Sequence, residues 1–352
     1  MTSLYGRRTG RVKVLVILGI ILLVLVGGGG FYIWSNLQPV SNTGEQKVIT
    51  IPPRTSTKQV GKILEENHLI RNAQIFALYS TAKGLGAKIK AGKYKITVGD
   101  SIDSIVDRMA AGRVYDDSYT VTIPEGYTLE QIAERVAEKG VIPKTDFIKE
   151  ADKGIFSEEL IKNIPSHLKV KHRLEGYLFP DTYHFSRDEK AHDVIDEMLK
   201  RTDQVWKKDW DSRFKAHKLT RHQALTLASI IEREVRSPKE RPIVAGVFYN
   251  RLAKGMPLQA DATLQYLFGK QKQVVTYADL KINSPYNTYK NTGLPPGPIA
   301  SPGIASIEAA ANPQKSQYLY YVTKKDGTGE HYFAVTYQDH LKNIARSNQH
   351  KK

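Results

Sequence analysis

The sequence predicts an α+β protein in three parts: a membrane-crossing helix, a small domain of alternating strands and helices, and a larger mixed domain. Three observations carry this. Residues 14–34 run without a charged side chain, and a strand–turn–helix pattern repeats between 49 and 142. From residue 115 helical periods dominate until two short strand-like runs close the chain.

The first element is the membrane helix. Residues 1–13 carry Arg7, Arg8, Arg11 and Lys13 and no acid. An apolar helix of about 20 residues crosses a bilayer. The basic flank places the N-terminus in the cytoplasm, and Tyr32 and Trp34 suit the far interface. A cleaved signal peptide is the alternative, with the four glycines at 27–30 imitating a cleavage site. The apolar run is, however, longer than the ~7–15 residues of a signal core. On either reading the rest of the chain lies outside the cytoplasm. With the helix retained, it is a single-pass protein of the cell membrane.

Residues 35–46 (SNLQPVSNTGEQ) are polar and aperiodic and read as a stalk. The small domain follows at 47–114. Its ITIPPRTSTKQVGKILEENHLI (49–70) aligns without a gap with VTIPEGYTLEQIAERVAEKGVI (121–142). Each copy offers a short alternating strand, a Pro turn, a Ser or Thr at a helix start, and an amphipathic helix. A partial third copy is YKITVGDSIDSIVDRMAAG (94–112), with Asp100 and Ser101 as N-cap residues. This unit resembles the LysM domain, a βααβ module that binds N-acetylglucosamine chains. The resemblance covers 47–114 and implies a sugar-binding subdomain; a plain packing module is the alternative.

The larger domain spans 115–345. Helical patterns cover 128–139, 191–207, 222–236 and 243–252. Residues 257–301 are rich in Gly, Pro, Asn and Tyr and read as a long loop, which inside a compact domain is more often functional than idle. YLYYV (318–322) and HYFAV (331–335) read as a hairpin.

Composition narrows the chemistry. There is no cysteine, which excludes a disulfide scaffold, a thiolate metal site and a cysteine nucleophile. Ten histidines are present, but none forms HExxH or a close pair with an acid at ligand spacing, so no metal site is expected. No GxGxxG, Walker or GxSxG motif occurs, and no cofactor is expected. The net charge is +16; the first 13 residues hold four of those positives, leaving about +12 beyond the membrane. For an exported protein that charge points to anionic lipid or cell wall, not to nucleic acid.

Carboxylates remain. ASIIEREV (228–235) closes an apolar helix with two acids, Glu232 and Glu234. On a helical wheel both flank the apolar face. Glu232 has Arg236 at i+4 and reads as a solvated ion pair. Glu234 has Ile230 at i−4, Ile231 at i−3 and no base at those spacings. Desolvation and the negative end of the helix dipole both raise a carboxyl pKa, as a general acid requires. Glu234 is therefore the candidate acid; two surface acids are the alternative. Ser229, mid-helix, reads as structural.

The loops that follow supply Tyr, Asn, Gln and Thr in turns, a lining suited to sugars. Tyr286, Asn287 and Tyr289 are the first expected sugar contacts; Gln259, Asp261, Glu175 and Asn250 come second. GLPPG (293–297) is expected to shape the cleft wall.

Taken in order, EGYLFPDTY (175–183), LASIIERE (227–234), VFYNRL (247–252), LQADAT (258–263), PYNTY (285–289) and GLPPGPIASPG (293–303) resemble the MltG-type (YceG-like) endolytic murein transglycosylases. The resemblance covers nearly all of the chain beyond the membrane helix. It implies an enzyme that cuts peptidoglycan strands internally beside the membrane and so ends nascent strands, in company with penicillin-binding synthases. It also implies that the second acid of the xIIExE motif is catalytic, which here is Glu234. Two rivals remain: a hydrolase pairing Glu234 with Glu175 or Asp261, and a non-catalytic wall-binding scaffold.

Overall fold

The computed structural model describes residues 6–349 apart from 163, 270 and 271. Of the basic arm expected at 1–13, residues 1–5 lie outside the described residues. Helix α1 (Gly6–Leu37) contains a stretch, Val16–Leu37, with a mean hydropathy of 2.5 and none of it buried. By length and composition it is able to cross a membrane. It runs three residues past the expected end, so the stalk begins as helix. The remainder of the stalk is tied down: Arg71 donates to the Pro39 carbonyl at 2.8 Å, and the Val98 N–H donates to the Glu45 carbonyl at 2.8 Å.

The chain divides into two compact units, one through Asp117 and one from Ser118. The first contains, after α1, β1 (Gln46–Ile51), α2 (Thr57–Glu66), α3 (Ala73–Ala82), β2 (Gly92–Thr97) and α4 (Ile102–Ala110). β1 and β2 pair antiparallel, Gln46 opposite Thr97 and Ile51 opposite Gly92. Ile49, Leu64, Phe76, Tyr94, Ile96, Ile105 and Met109 make its core.

The second unit opens with β3 (Tyr119–Thr122), α5 (Leu129–Glu138), α6 (Lys144–Lys153), β4 (Thr182–Phe185) and α7 (Ala191–Val205), the same order of elements. β3 and β4 again pair antiparallel. The repeat seen in the sequence is therefore half of a larger duplication. Capping boxes recur at aligned positions, Ser56 with Gln59 and Thr128 with Gln131. So do left-handed residues: Arg54 and His68 match Gly126 and Gly140, all at positive φ. The stretch at 94–112 is not a third copy of the same piece. It forms β2–α4, and its counterpart is β4–α7, with Tyr94, Ile96, Ile105 and Met109 matching Tyr183, Phe185, Val194 and Met198. In both, an acid three residues on accepts the strand-end amide: Asp100 from Thr97 N–H and Glu189 from Ser186 N–H.

The rest of the second unit is α8 (Lys208–Ala216), α9 (Arg221–Glu234), α10 (Arg241–Ala253), α11 (Asp261–Phe268), α12 (Ile304–Ala311), the hairpin β5 (Tyr320–Thr323) and β6 (His331–Ala334), and α13 (Tyr337–Gln349). The region expected as a long loop thus carries the two-turn α11. Helix α9 is the central element. Every residue from Ala224 to Ile231 is buried, with α8, α10, α11 and α12 against it. Its apolar run is therefore buried all round, where one broad face was expected. Ser229 is structural, as expected. Its hydroxyl donates to the Thr226 carbonyl and accepts the Ile299 N–H at 3.0 Å, bolting the GLPPGPIASPG loop to α9.

Candidate active site

α9 ends at Glu234, because Val235 turns extended (φ −116°, ψ 112°). That bend decides the fate of both acids. Arg236 lies past the helix end, so the i+4 pairing expected for Glu232 has no helical geometry to form in. Glu232 instead accepts from Arg241 Nη2 at 3.0 Å through one oxygen and from the Gly303 N–H at 3.0 Å through the other. Its side chain is only 6% exposed, so this is a buried ion pair, not a solvated one.

Glu234 opens on a cavity of about 360 Å³ lined by Arg251, Leu258, Gln259, Asp261, Tyr289, Tyr321, Val322, Thr323, His331 and His340. Its Oε1 accepts the Ala262 N–H at 2.8 Å, from the start of α11, and its Oε2 accepts the Tyr321 hydroxyl at 3.1 Å, from β5. Burial of the carboxylate by these neighbours pushes its pKa up to about 7, and the nearby Asp261 carboxylate pushes the same way. The two hydrogen bonds pull down. The direction agrees with the sequence reading, but its source differs. Ile230 and Ile231 are core residues; the shielding wall is Leu258, Val322 and the tyrosines, brought from far along the chain.

Of the expected sugar contacts, the fold gathers Gln259, Asp261 and Tyr289 around Glu234. The Tyr289 hydroxyl donates to Asp261 Oδ1 at 2.5 Å. Gln259 holds a left-handed backbone (φ 51°) at the cavity edge, and its Oε1 accepts from Arg251. Such strain in a non-glycine residue often marks a working position.

The fold places five of the expected groups away from Glu234. Asn287 is fully buried; its amide donates to the carbonyls of Leu280 and Ile282 and accepts the Tyr289 N–H, so it shapes the PYNTY turn. Tyr286 is buried against Tyr266, ring centroids 5.1 Å apart. Asn250 donates to the carbonyls of Ser316 and Tyr318 and faces a separate groove of about 1010 Å³. GLPPG lines that groove and not the Glu234 cavity. Glu175, 1% exposed, accepts the Leu129 N–H at 2.9 Å and borders another small cavity, with Lys171 and Tyr266. Burial pushes its pKa up to about 7 as well.

Sequence reasoning missed Tyr321, Arg251 and His331. Arg251, from VFYNRL, is buried and donates to the carbonyls of Leu258 and Leu319 and to Gln259. Tyr321 and His331 sit in strands of four residues, too short for alternation to tell which face turns inward.

A carboxylate raised in this way, held by one amide and one hydroxyl in a polar cavity shared with Asp261, is able to give up a proton and regain it near neutral pH. A profile of the YceG-like family matches residues 49–346. The chain belongs to the YceG-like family. The endolytic murein transglycosylase of Bacillus subtilis (strain 168) is 39% identical over 328 residues, 91% of this chain and 90% of that protein. The endolytic murein transglycosylase of Streptococcus pneumoniae (serotype 2, strain D39) is 34% identical over 362 residues, 95% of this chain but 65% of that longer protein. A crystal structure of a yceG-like protein from Listeria monocytogenes superposes with a TM-score of 0.57 at 41% identity, covering 85% of this chain and 99% of that one.

Proposed function

We propose that the chain is a membrane-anchored endolytic murein transglycosylase. It cleaves the MurNAc–GlcNAc bond within nascent peptidoglycan strands and leaves 1,6-anhydroMurNAc ends, so terminating elongation. The relatives' shared activity supports the substrate class. The observation that carries the mechanism is Glu234 at the cavity with its pKa pushed up to about 7, so that a large fraction is protonated at neutral pH.

Protonated Glu234 donates to the glycosidic oxygen, and the C1–O bond breaks as positive charge develops on the muramic sugar. The remaining carboxylate, held by Ala262 N–H and Tyr321 O–H, takes the proton of the C6 hydroxyl, whose oxygen bonds to C1. One carboxylate suffices and no water enters, unlike glycosidases with two acids. Gln259, Asp261 and Tyr289 supply sugar contacts. Residues 47–114 act as a LysM-like binder of the strand. α1 keeps the N-terminus in the cytoplasm and the rest outside, beside penicillin-binding synthases. The charge of about +12 beyond the helix suits an anionic wall.

The test is mass spectrometry of muropeptides after digestion of purified glycan strands. Wild type gives anhydro ends; Glu234→Gln gives none while keeping its fold. Full activity of that variant would sink the assignment. Reducing muramic ends would instead favour hydrolysis with Asp261 as second carboxylate, a reading its place in the same cavity supports. Glu175, bordering another cavity, lacks that support. Retention of the 47–114 segment on insoluble peptidoglycan tests the LysM-like role.

A further inference from the structure

Glu240 and His331 form a buried pair, and His331 lines the Glu234 cavity. Glu240 ends the short 3₁₀ turn (Pro238–Glu240) between α9 and α10, and His331 opens β6. One carboxylate holds the histidine twice: Oε1 accepts its backbone N–H at 3.0 Å, and Oε2 lies 2.7 Å from ring Nδ1. Both residues are buried, at 7% exposure each. An ionised carboxylate only accepts, so Nδ1 carries the hydrogen of this bond. The ring's other nitrogen, Nε2, then has a lone pair when the imidazole is neutral. Among the described residues nothing hydrogen-bonds Nε2, and the ring lines the cavity. The ring also stands edge-on to Tyr321 (centroids 5.3 Å, 86°), whose hydroxyl holds Glu234. The fold thus spends a buried charge on fixing one face of one imidazole beside the reacting carboxylate. A purely packing role needs no such pair, since replacing a buried charged pair by well-packed apolar residues is commonly neutral or stabilising.

We propose that His331 is a further catalytic residue of this site: its Nε2 accepts a hydrogen bond from a hydroxyl of the bound saccharide and orients that sugar over Glu234, while Glu240 is the positioning residue that sets the ring's tautomer and angle. The proposal rests on the glycan-cleaving reading above. An acceptor at Nε2 suits a substrate made of hydroxyls. The charged and titratable groups sharing the cavity with the ring are Glu234 from α9, Arg251 from α10, Asp261 from α11, Tyr289, Tyr321 and His340. Behind it stand Glu240 and the Lys324–Glu330 pair of the hairpin.

The experiment measures kcat/KM from pH 5 to 9 for the full chain in detergent acting on purified glycan strands, with product ends read by mass spectrometry. His331→Asn keeps an amide donor for Glu240 and removes only the Nε2 position. It should lower kcat/KM by about tenfold or more, leave the alkaline limb of Glu234 in place, and still yield anhydro ends. Glu240→Gln keeps the ring but has one accepting oxygen for the two bonds that Glu240 accepts, so kcat/KM should fall there too, by less than in His331→Asn, with the melting temperature of the fold kept. If His331→Asn does not fold, the fall in Glu240→Gln decides alone. Wild-type kcat/KM in either variant would overturn the proposal. Glu234→Gln in the same series separates the two readings. Anhydro ends from wild type and none from Glu234→Gln, beside a fully active His331→Asn, reject His331 alone. Reducing ends from wild type reject the transglycosylase reading itself.

Discussion

The proton on Glu234 makes a thermodynamic demand that can be measured without substrate. Its carboxyl is moved from an ordinary 4.5 to about 7 in the folded chain. Between those values the folded state keeps a proton that the unfolded state releases, so stability falls as pH rises through this window. Below 4.5 both states are protonated and the cost vanishes; above 7 it is complete. At ~1.4 kcal/mol for each tenfold change in the proton equilibrium, the full cost is about 3 kcal/mol, of which about 2–3 kcal/mol develops between pH 5 and 8.5. Glu234→Gln is nearly isosteric and cannot ionise, so it escapes this cost. Its carbonyl can still accept the Ala262 N–H. The gap in stability between variant and wild type should therefore widen in favour of the variant by that amount from pH 5 to 8.5. For a unit of this size that is ~5–10 °C in Tm. Paired melts of the two proteins across that range cancel every other titrating group. A flat gap, or one that widens toward acid, would mean that Glu234 is ionised at neutral pH and cannot be the acid.

Three further perturbations separate the groups around it. Tyr321→Phe deletes the hydroxyl that stabilises the carboxylate form. The alkaline limb of kcat/KM should move to higher pH, with about tenfold loss or less at the optimum; a limb that moves down refutes the role given to this bond. Glu175→Gln should reproduce the pH-dependent stability signature of Glu234→Gln, because its carboxyl is also raised to about 7 by burial. It should cleave strands within a few-fold of wild type, and loss of anhydro products would place it in the reaction. Arg241→Met leaves Glu232 buried and unpaired and should cost about 3–5 kcal/mol in chemical denaturation. The double variant Arg241→Met/Glu232→Gln should recover most of that.

What the sequence made legible was local. The Ser or Thr at the helix starts (Ser56 and Thr128), the span of α9, the closing hairpin and the long apolar N-terminal helix all depend on residues within a few positions of one another. The repeat was visible only where its copies kept the same residues. Its second half, β4–α7, replaced Gly99–Asp100–Ser101 with Asp188–Glu189–Lys190 and hid behind the change, although the acid that accepts the strand-end amide survived as Glu189. α11 was masked by the Gly, Pro and Asn on both sides of it. In the site, the raised pKa of Glu234 was legible because the residue ends an apolar run. Asn287 serves the carbonyls of its own turn, and Asn250, on α10, serves carbonyls about seventy residues on, partners that the local sequence does not display. Tyr321 and His331 come from a hairpin about ninety residues on, and no spacing rule reaches that far.

The choice between Glu232 and Glu234 shows why distant partners decide chemistry that near neighbours only suggest. The two acids are two residues apart on the last turn of one buried helix, and both have their oxygens hydrogen-bonded. Glu232 meets a guanidinium, which offsets the desolvation of its charge. Glu234 meets an amide and a hydroxyl, neutral donors that stabilise the anion only in part, with Asp261 working against it. Its proton equilibrium is therefore left near neutrality, where giving and regaining a proton cost least. The bend at Val235 makes the difference. It ends α9 before Arg236, so that Arg236 is off the helix carrying Glu232, and leads to α10, where Arg241 reaches back to Glu232 and not to Glu234. A base placed on Glu234 instead would keep the same helix and the same burial and would abolish the acid.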